Sequence, residues 1–161
     1  MILVSSCLLG ECTKYSGGHN LHPFFETKKE GIISVCPEVM GGLLTPRPPA
    51  EIVGGSGVDV ISGRCSVCSK VGTDVTAEFL CGAKKALALA NEHHVEYAVL
   101  KESSPSCGSH TIYDGTFSGV KRAGEGVTTS LLRAHGITVY SEKEITEGLW
   151  QKMVGASCEK A

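Results

Sequence analysis

The sequence predicts an α/β fold in which a small, mostly parallel sheet carries helices on both faces. Four short apolar runs, at residues 2–5, 32–35, 97–100 and 137–140, have the length and composition of buried strands. Segments with helical periodicity lie between the later runs, and a strand–helix–strand connection makes its two strands parallel. A chain of 161 residues has the length of one domain, so we predict a single domain over 1–161.

The predicted helices follow from capping residues and from the spacing of apolar side chains. A short helix is expected within 21–30, where a proline interrupts it early. A longer helix begins at the capping residues 74–76, and apolar side chains recur every three or four residues as far as Ala90. Another helix covers 126–135, and the last begins at 141–144 with the Ser-x-x-Glu pattern of a capping box.

Residues 57–70 are predicted to depart from this alternation. The segments 58–61 and 64–68 resemble two short strands around a Ser-Gly turn, which indicates a hairpin insertion. The proline-rich segment before them, 45–51, is predicted to be a stiff, non-helical loop. The complete arrangement is a Rossmann-like, three-layer fold, whose ligands bind beyond the carboxyl ends of the strands.

The composition excludes several classes of protein. The 15 Lys and Arg residues and 17 Asp and Glu residues give a net charge of −2, so no strongly basic surface is expected for nucleic acid or an anionic membrane. No apolar run approaches the roughly 18 residues of a membrane span. The first residues, Met1-Ile2-Leu3-Val4, lack the features of a signal peptide. We therefore expect a cytoplasmic protein without membrane or nucleic-acid partners.

The chain contains eight cysteines, more than its fold requires. An even number is compatible with disulfide bonds, but the cysteine content is below that of disulfide-rich scaffolds. Thiols stay reduced in the cytoplasm, where clustered cysteines more often bind metals or take part in catalysis. The sequence therefore favours free thiols and a metal site.

Three of these cysteines occupy equivalent positions. Cys7 follows the first predicted strand, Cys36 the second and Cys107 the third. Because parallel strands end at the same edge of a sheet, we expect the three side chains to meet there. A buried structural cysteine is the ordinary alternative at any one position. Soft thiolates bind zinc, copper(I) or iron–sulfur clusters, and three well-separated ligands suit a cluster with one open iron.

Polar residues beside these cysteines are typical of a catalytic pocket. Glu38 follows Cys36 by two residues, and the hydroxyl groups of Ser104 and Ser106 precede Cys107. A carboxylate can take up or return a proton, and hydroxyl groups can stabilise a developing anion. For Glu38 the alternative is a solvated acid on the surface.

Seven motifs along the chain together resemble one known family. They are SCLLG at 6–10, YSGG at 15–18, CPEV at 36–39, TPRPPAE at 45–51, GTDVT at 72–76, SPSCGS at 104–109 and IYDGTFSG at 112–119. In this order they resemble the 2-thiouracil desulfidase family, a bacterial family long catalogued as a domain of unknown function. The resemblance extends from residue 2 to about residue 142.

The resemblance implies an enzyme that hydrolyses a thiolated pyrimidine base and releases hydrogen sulfide. In that family three cysteines hold a [4Fe-4S] cluster, and they match Cys7, Cys36 and Cys107. A glutamate and a serine that assist the reaction match Glu38 and Ser104. The implied substrate is a small thiolated heterocycle such as 2-thiouracil.

Two further residues in these motifs are expected to contact the substrate. Ser106 lies beside the third cysteine, and its hydroxyl group can donate a hydrogen bond. Arg47, in the proline-rich segment, either pairs with Glu51 or faces a carbonyl or phosphate group of the substrate. We predict that Arg47 binds the substrate. Lys101 and Glu102 precede the loop of the third cysteine and could reach the same pocket.

Cys65 and Cys68 form a Cys-x-x-Cys pair that has no assigned role in the family. This pair could be half of a zinc site, with Cys12 and Cys81 as the further ligands. It could instead be a redox pair or an incidental feature. Cys158 is predicted to be a plain thiol. For the whole protein the alternatives are an iron–sulfur or zinc module that acts as a sensor or carrier, and an enzyme acting on thiolated RNA. Release of sulfide from a free thiolated base would distinguish the predicted enzyme from both.

Overall fold

A four-stranded parallel sheet lies at the centre of the computed structural model, which describes residues 1–159, with side chains through residue 155. In chain order the elements are β1 (Ile2–Ser5), β2 (Ile32–Val35), α1 (Pro37–Met40), β3 (Ala50–Val53), α2 (Gly57–Ile61), β4 (Ser66–Ser69), α3 (Thr76–Glu92), β5 (Tyr97–Leu100), β6 (Thr111–Tyr113), β7 (Lys121–Ala123), α4 (Val127–Ala134), β8 (Thr138–Ser141) and α5 (Glu147–Glu159). Within residues 1–159, no helix has the length and apolar character needed to cross a membrane.

The central sheet has the strand order β2-β1-β5-β8, and every neighbouring pair is parallel. From β1 the chain moves to β2 on one side, and it later returns to β5 on the other side. The connections therefore diverge at the carboxyl ends of β1 and β5, and this divergence opens a crevice where ligands bind in such folds. The predicted mostly parallel α/β sheet is confirmed.

Both faces of the sheet are covered, because alternate side chains of its strands enter two different hydrophobic clusters. The cluster on the side of α3 and α4 includes Leu3, Ala90, Ala98, Leu100 and Leu132. The cluster on the side of α5 includes Ile2, Val4, Phe25, Val99 and Trp150. Parallel strands with apolar side chains on both faces require helices on both sides. The predicted three-layer arrangement is therefore confirmed.

The helix α3 begins where its capping residues predicted and holds α1 in place. Asp74 Oδ1 accepts the backbone N–H of Thr76 at 2.9 Å. Farther along the helix, a Cβ atom on Gly82 would lie 1.8 Å from the carbonyl oxygen of Pro37. Only glycine permits this close approach of α1 to α3. The residues around Pro37 are thereby fixed relative to the sheet.

Residues 57–70 do not form the predicted hairpin, and the strand predicted over 58–61 is wrong. This segment is the helix α2, while β4 pairs antiparallel with β3. The backbone N–H of Ser56 bonds to Asp59 Oδ2 at 2.9 Å, a contact typical of a helix N-terminus. This local capping outweighs the strand preference of the β-branched residues in α2.

Two other segments differ from their predictions. The glycine-rich region after Thr111, for which the sequence predicts no strand, contains the short antiparallel pair of β6 and β7. The helix predicted within 21–30 is reduced to a single 3-10 turn at Pro23–Glu26. In both cases the elements are too short for periodicity in the sequence to indicate them.

Candidate functional site

The structure brings the three predicted cysteine ligands together at the carboxyl edge of the sheet. Cys7 lies in a 3-10 turn (Ser6–Leu9) directly after β1, and Cys36 follows β2 at the position just before α1. Cys107 lies in the loop that follows β5. All three line one cavity of about 380 Å³. This cavity occupies the crevice that the sheet topology opens.

Burial and the proximity of Cys36 oppose ionisation of the Cys7 and Cys107 thiols. Cys107 is 4% exposed, and burial raises its pKa to about 12, while hydrogen bonds from serine side chains, including Ser106, act in the opposite direction. Burial also raises the pKa of Cys7, against a hydrogen bond from Asn20. Negative charge on Cys36 raises both pKa values further, so the three sulfur atoms are electrostatic neighbours. A bound metal centre would favour the thiolate forms of Cys7 and Cys107 at neutral pH.

Glu38 lines the same cavity and is held from two sides. Arg47 Nε donates to Glu38 Oε1 at 3.2 Å, and the hydroxyl group of Ser106 donates to Oε2 at 3.2 Å. The side chain of Glu38 is 16% exposed and that of Arg47 only 6%. Each oxygen of Glu38 accepts one hydrogen bond here, so both keep capacity to accept another.

Ser104 and Ser106 form a chain of hydroxyl groups that leads to Glu38. Their Oγ atoms are 3.0 Å apart. The single hydroxyl proton of Ser106 is within reach of Glu38 Oε2 at 3.2 Å and of Cys107 Sγ at 3.5 Å. When it goes to Glu38, Ser104 is the donor to Ser106. Ser104 Oγ also accepts the backbone N–H groups of Ser106 and Cys107, both at 3.2 Å. Ser104 therefore also shapes the turn that presents Cys107.

A buried carboxylate organises the whole loop around Cys107. Glu102 is 4% exposed. Its Oε1 accepts four backbone N–H groups at 2.9 to 3.3 Å, from Ser103, Ser109, His110 and Thr111. Its Oε2 accepts the Ser109 hydroxyl at 3.0 Å and lies 3.0 Å from His110 Nδ1. Burial raises the pKa of Glu102, but these hydrogen bonds outweigh burial and hold the pKa well below its usual range.

A second buried acid fixes the glycine-rich loop after β6. Glu51, in β3, accepts the backbone N–H groups of Gly115 at 2.9 Å and Phe117 at 3.2 Å through Oε1. Gly115 has a φ of 91°, and a Cβ atom there would lie 2.6 Å from a carbonyl oxygen of β3. Of the alternatives considered for Arg47, the ion pair with Glu51 is absent from the described residues, and Arg47 pairs with Glu38.

Comparison with known proteins identifies the family. The sequence profile described as 2-thiouracil desulfurase matches residues 2–144. The chain belongs to this family. Among solved structures, the [4Fe-4S]-dependent thiouracil desulfidase TudS shares 41% sequence identity and has a TM-score of 0.76, covering 98% of this chain and 97% of that chain. The uncharacterized protein YbbK of Bacillus subtilis (strain 168) is 47% identical over 151 residues, which are 91% of this chain and 99% of YbbK.

Membership in the 2-thiouracil desulfurase family confirms the resemblance predicted from the seven motifs, and it confirms that the protein is an enzyme. The [4Fe-4S] dependence of TudS agrees with the predicted cofactor. The roles predicted for individual residues remain predictions.

The surroundings of the three thiols fit an iron–sulfur cluster. Cys36 Sγ lies 3.8 Å from the backbone carbonyl oxygen of Thr13. The side-chain hydroxyl group of Thr13 is buried and has no hydrogen-bond partner among the described residues. Soft sulfur ligands with a nearby hydroxyl donor suit an iron–sulfur cluster.

The Cys-x-x-Cys pair does not contribute to this cavity. Cys65, just before β4, packs against a hydrophobic cluster with Val67. Cys68 is three residues farther on, so it points to the opposite face of the strand. Among the described residues, no third ligand joins the pair, so the structure gives the zinc interpretation no support. All seven cysteines that the structure describes are free, and Cys158 lies outside the described side chains.

Proposed function

We propose that this protein is a [4Fe-4S]-dependent desulfidase that hydrolyses 2-thiouracil or a closely related thiolated pyrimidine. Water replaces sulfur at the ring carbon, so C=S becomes C=O and hydrogen sulfide is released without any net oxidation or reduction. The proposal rests on the convergence of Cys7, Cys36, Cys107 and Glu38 on one cavity. The 41% identity to TudS supports the same chemistry.

Cys7, Cys36 and Cys107 would hold the cluster. When bound, a cluster with three protein ligands supplies an iron with an open position, a Lewis acid suited to the soft sulfur of a thiocarbonyl group. Each cysteine comes from the end of a different strand, so the sheet fixes the three sulfur positions relative to one another.

Glu38 is assigned as the proton acceptor for the attacking water. Its carboxylate lines the cavity beside Cys36, and its two oxygens are held by Arg47 and Ser106. A fixed carboxylate can take the proton from water as the new C–O bond forms and can then return it to the departing sulfide. Glu38 thus ends the reaction in the protonation state in which it began.

Ser104 is assigned to hydrogen bond with the substrate ring or with the developing anion. Ser104 is half-buried in the cavity wall, whereas Ser106 is 1% exposed and gives its proton to Glu38. In this proposal Ser106, expected from the sequence to contact the substrate, instead fixes Glu38. In the structure the Ser104 hydroxyl donates to Ser106, so this role requires its proton to turn from Ser106 to the substrate.

The proposed substrate is a free small molecule. The cavity of about 380 Å³ falls within the usual range for small-ligand sites, about 300–1,000 Å³. The net charge of −2 does not favour a polyanionic substrate such as thiolated RNA. We place the protein in the cytoplasm, where free cysteines that must bind a cluster stay reduced.

Anaerobic reconstitution with iron and sulfide, followed by incubation with 2-thiouracil, tests the proposal. We expect visible absorbance of an iron–sulfur cluster and stoichiometric release of sulfide and uracil. Cys7→Ala, Cys36→Ala and Cys107→Ala should each abolish the absorbance, whereas Cys65→Ala should retain it. Glu38→Gln should keep the cluster and reduce kcat by about 100-fold or more.

Two results would contradict the proposal. The first is retention of iron and sulfide by all three cysteine variants, because the cavity would then not be the cluster site. The second is a fully loaded protein that releases no sulfide from any of a panel of thiolated pyrimidines, because a sensor or carrier would behave in that way.

A further inference from the structure

We propose that Arg47 is a positioning residue that acts on the reaction through Glu38 and does not bind the substrate. This inference rests on the proposed function, since it assumes that Glu38 carries the proton. It replaces the expectation from the sequence that Arg47 contacts a carbonyl or phosphate group of the substrate.

The hydrogen bonds of Arg47 leave little of its guanidinium group for a ligand. Nε donates to Glu38 Oε1 at 3.2 Å, and Nη2 donates to the carbonyl oxygen of Thr13 at 2.9 Å. Nη1 donates to the carbonyl oxygen of Leu44 at 3.2 Å and to Thr45 Oγ1 at 3.0 Å. A guanidinium group has five N–H donors, and four of them have protein acceptors here. With its side chain 6% exposed, Arg47 lies beside Glu38 in the cavity wall.

Arg47 also connects three separate segments of the site. Its side chain joins Glu38, on α1, to Thr13 in the loop after β1. Its backbone N–H donates to the carbonyl oxygen of Tyr15 at 2.8 Å, in the same loop. The Thr13 carbonyl oxygen that Arg47 holds lies 3.8 Å from Cys36 Sγ. A single guanidinium group therefore fixes the position of Glu38 relative to the Thr13 carbonyl group that contacts Cys36.

A lysine could not replace this arrangement. Its ammonium group is a compact point charge, whereas the planar guanidinium group reaches acceptors in several fixed directions at once. Arg47→Lys would keep the positive charge and lose the simultaneous contacts with Glu38, Thr13 and the 44–45 segment. The carboxylate would then lose its fixed orientation, and misplacement of a catalytic group by about 1 Å can cost about 100-fold in rate.

Steady-state kinetics of the reconstituted protein test the inference. In Arg47→Lys we expect kcat for 2-thiouracil to fall about 10- to 100-fold, with KM within about twofold of the wild-type value because no substrate contact is lost. The dissociation constant for the product uracil, measured by calorimetry, should change equally little. Arg47→Gln, which keeps donors without the charge, provides the same comparison in a second variant. Arg64→Lys, at a side chain 67% exposed, is the matched control and should leave both parameters unchanged.

A double-mutant cycle with Glu38 separates positioning from substrate binding. If Arg47 acts through Glu38, Arg47→Lys has no further effect on kcat in the Glu38→Gln background. A raised KM with unchanged kcat, weaker uracil binding, or effects that multiply in the double variant would overturn the inference and leave the proposed function standing. Absence of sulfide release from the wild-type protein would instead overturn the proposed function.

Discussion

Replacement of Glu102 by glutamine tests whether a single buried charge organises the loop of Cys107. The carboxylate accepts four backbone N–H groups through Oε1, and Oε2 contacts two side-chain groups. Glutamine is nearly the same size, and its amide oxygen could keep the four backbone bonds. Glu102→Gln therefore removes the charge with little change in packing.

The expected loss follows from the strength of hydrogen bonds to charged groups. Such bonds contribute about 1.5–3 kcal/mol each, against about 0.5–1.5 kcal/mol for neutral ones, so each bond weakens by about 1 kcal/mol. The six bonds share one charge and are not additive, so we expect a decrease of about 3 kcal/mol in the free energy of unfolding at pH 7. For a chain of this size, the decrease corresponds to a lower Tm by about 6–12 °C.

The same loss should depend on pH in a defined direction. The pKa of Glu102 is lower in the folded protein than its ordinary value of 4.5. The unfolded chain therefore binds the proton first, and the stabilisation is complete above that value and decreases as the pH falls below it. Between pH 7 and pH 3.5 the wild-type protein should lose about 1.4 kcal/mol that Glu102→Gln does not lose.

Urea denaturation of the reduced apoprotein, followed by circular dichroism at both pH values, measures these differences. Glu92→Gln, at an exposed position on α3, is the control and should change the free energy of unfolding by less than about 0.5 kcal/mol. A decrease below 1 kcal/mol for Glu102→Gln, or one that is the same at pH 7 and pH 3.5, would refute the argument that the charge holds the loop.

Three further variants test other contacts. Gly82→Ala would bring a Cβ atom to 1.8 Å from the carbonyl oxygen of Pro37, so urea denaturation should show a loss of about 1–3 kcal/mol, with lower iron content after reconstitution. Ser106→Ala removes a donor to Glu38, so kcat should fall about 10- to 100-fold while the iron content is kept; an unchanged kcat would exclude a supporting role. Trp150→Ala removes a 4% exposed ring from the hydrophobic cluster beside α5. Urea denaturation should show a decrease of about 3–5 kcal/mol in the free energy of unfolding. A decrease below about 1 kcal/mol would contradict the packing of Trp150 in this cluster.

The position of the cysteines could be predicted from the sequence because it depends on topology alone. Apolar runs define the strands, and alternation with helices makes the strands parallel. Residues that follow Ser5, Val35 and Leu100 then lie at one edge whatever the details of side-chain packing. This logic requires no knowledge of contacts, and the structure brings Cys7, Cys36 and Cys107 to one cavity as expected.

The partners of the buried charges could not be predicted in the same way. Glu102 follows a strand like many solvated acids, and its partners are backbone groups whose positions depend on how the later loop returns. Arg47 is close in sequence to Glu51, yet it pairs with Glu38 because of the path of the proline-rich segment. The helix α2 was missed because β-branched residues favour strands, although the Ser56 and Asp59 pair carried a capping signal.

The spacing of the proposed cysteine ligands along the chain has a consequence for biosynthesis. Cys7 and Cys36 precede β5 and Cys107, so the segment bearing two of the proposed ligands leaves the ribosome well before the third exists. At about 5–20 residues per second, the interval lasts several seconds. Insertion of a cluster held by these three cysteines would therefore wait until translation has delivered Cys107 and β5 has docked beside β1. A nascent chain or a fragment that ends before β5 would carry only two of the three proposed ligands and be unable to retain the inorganic core.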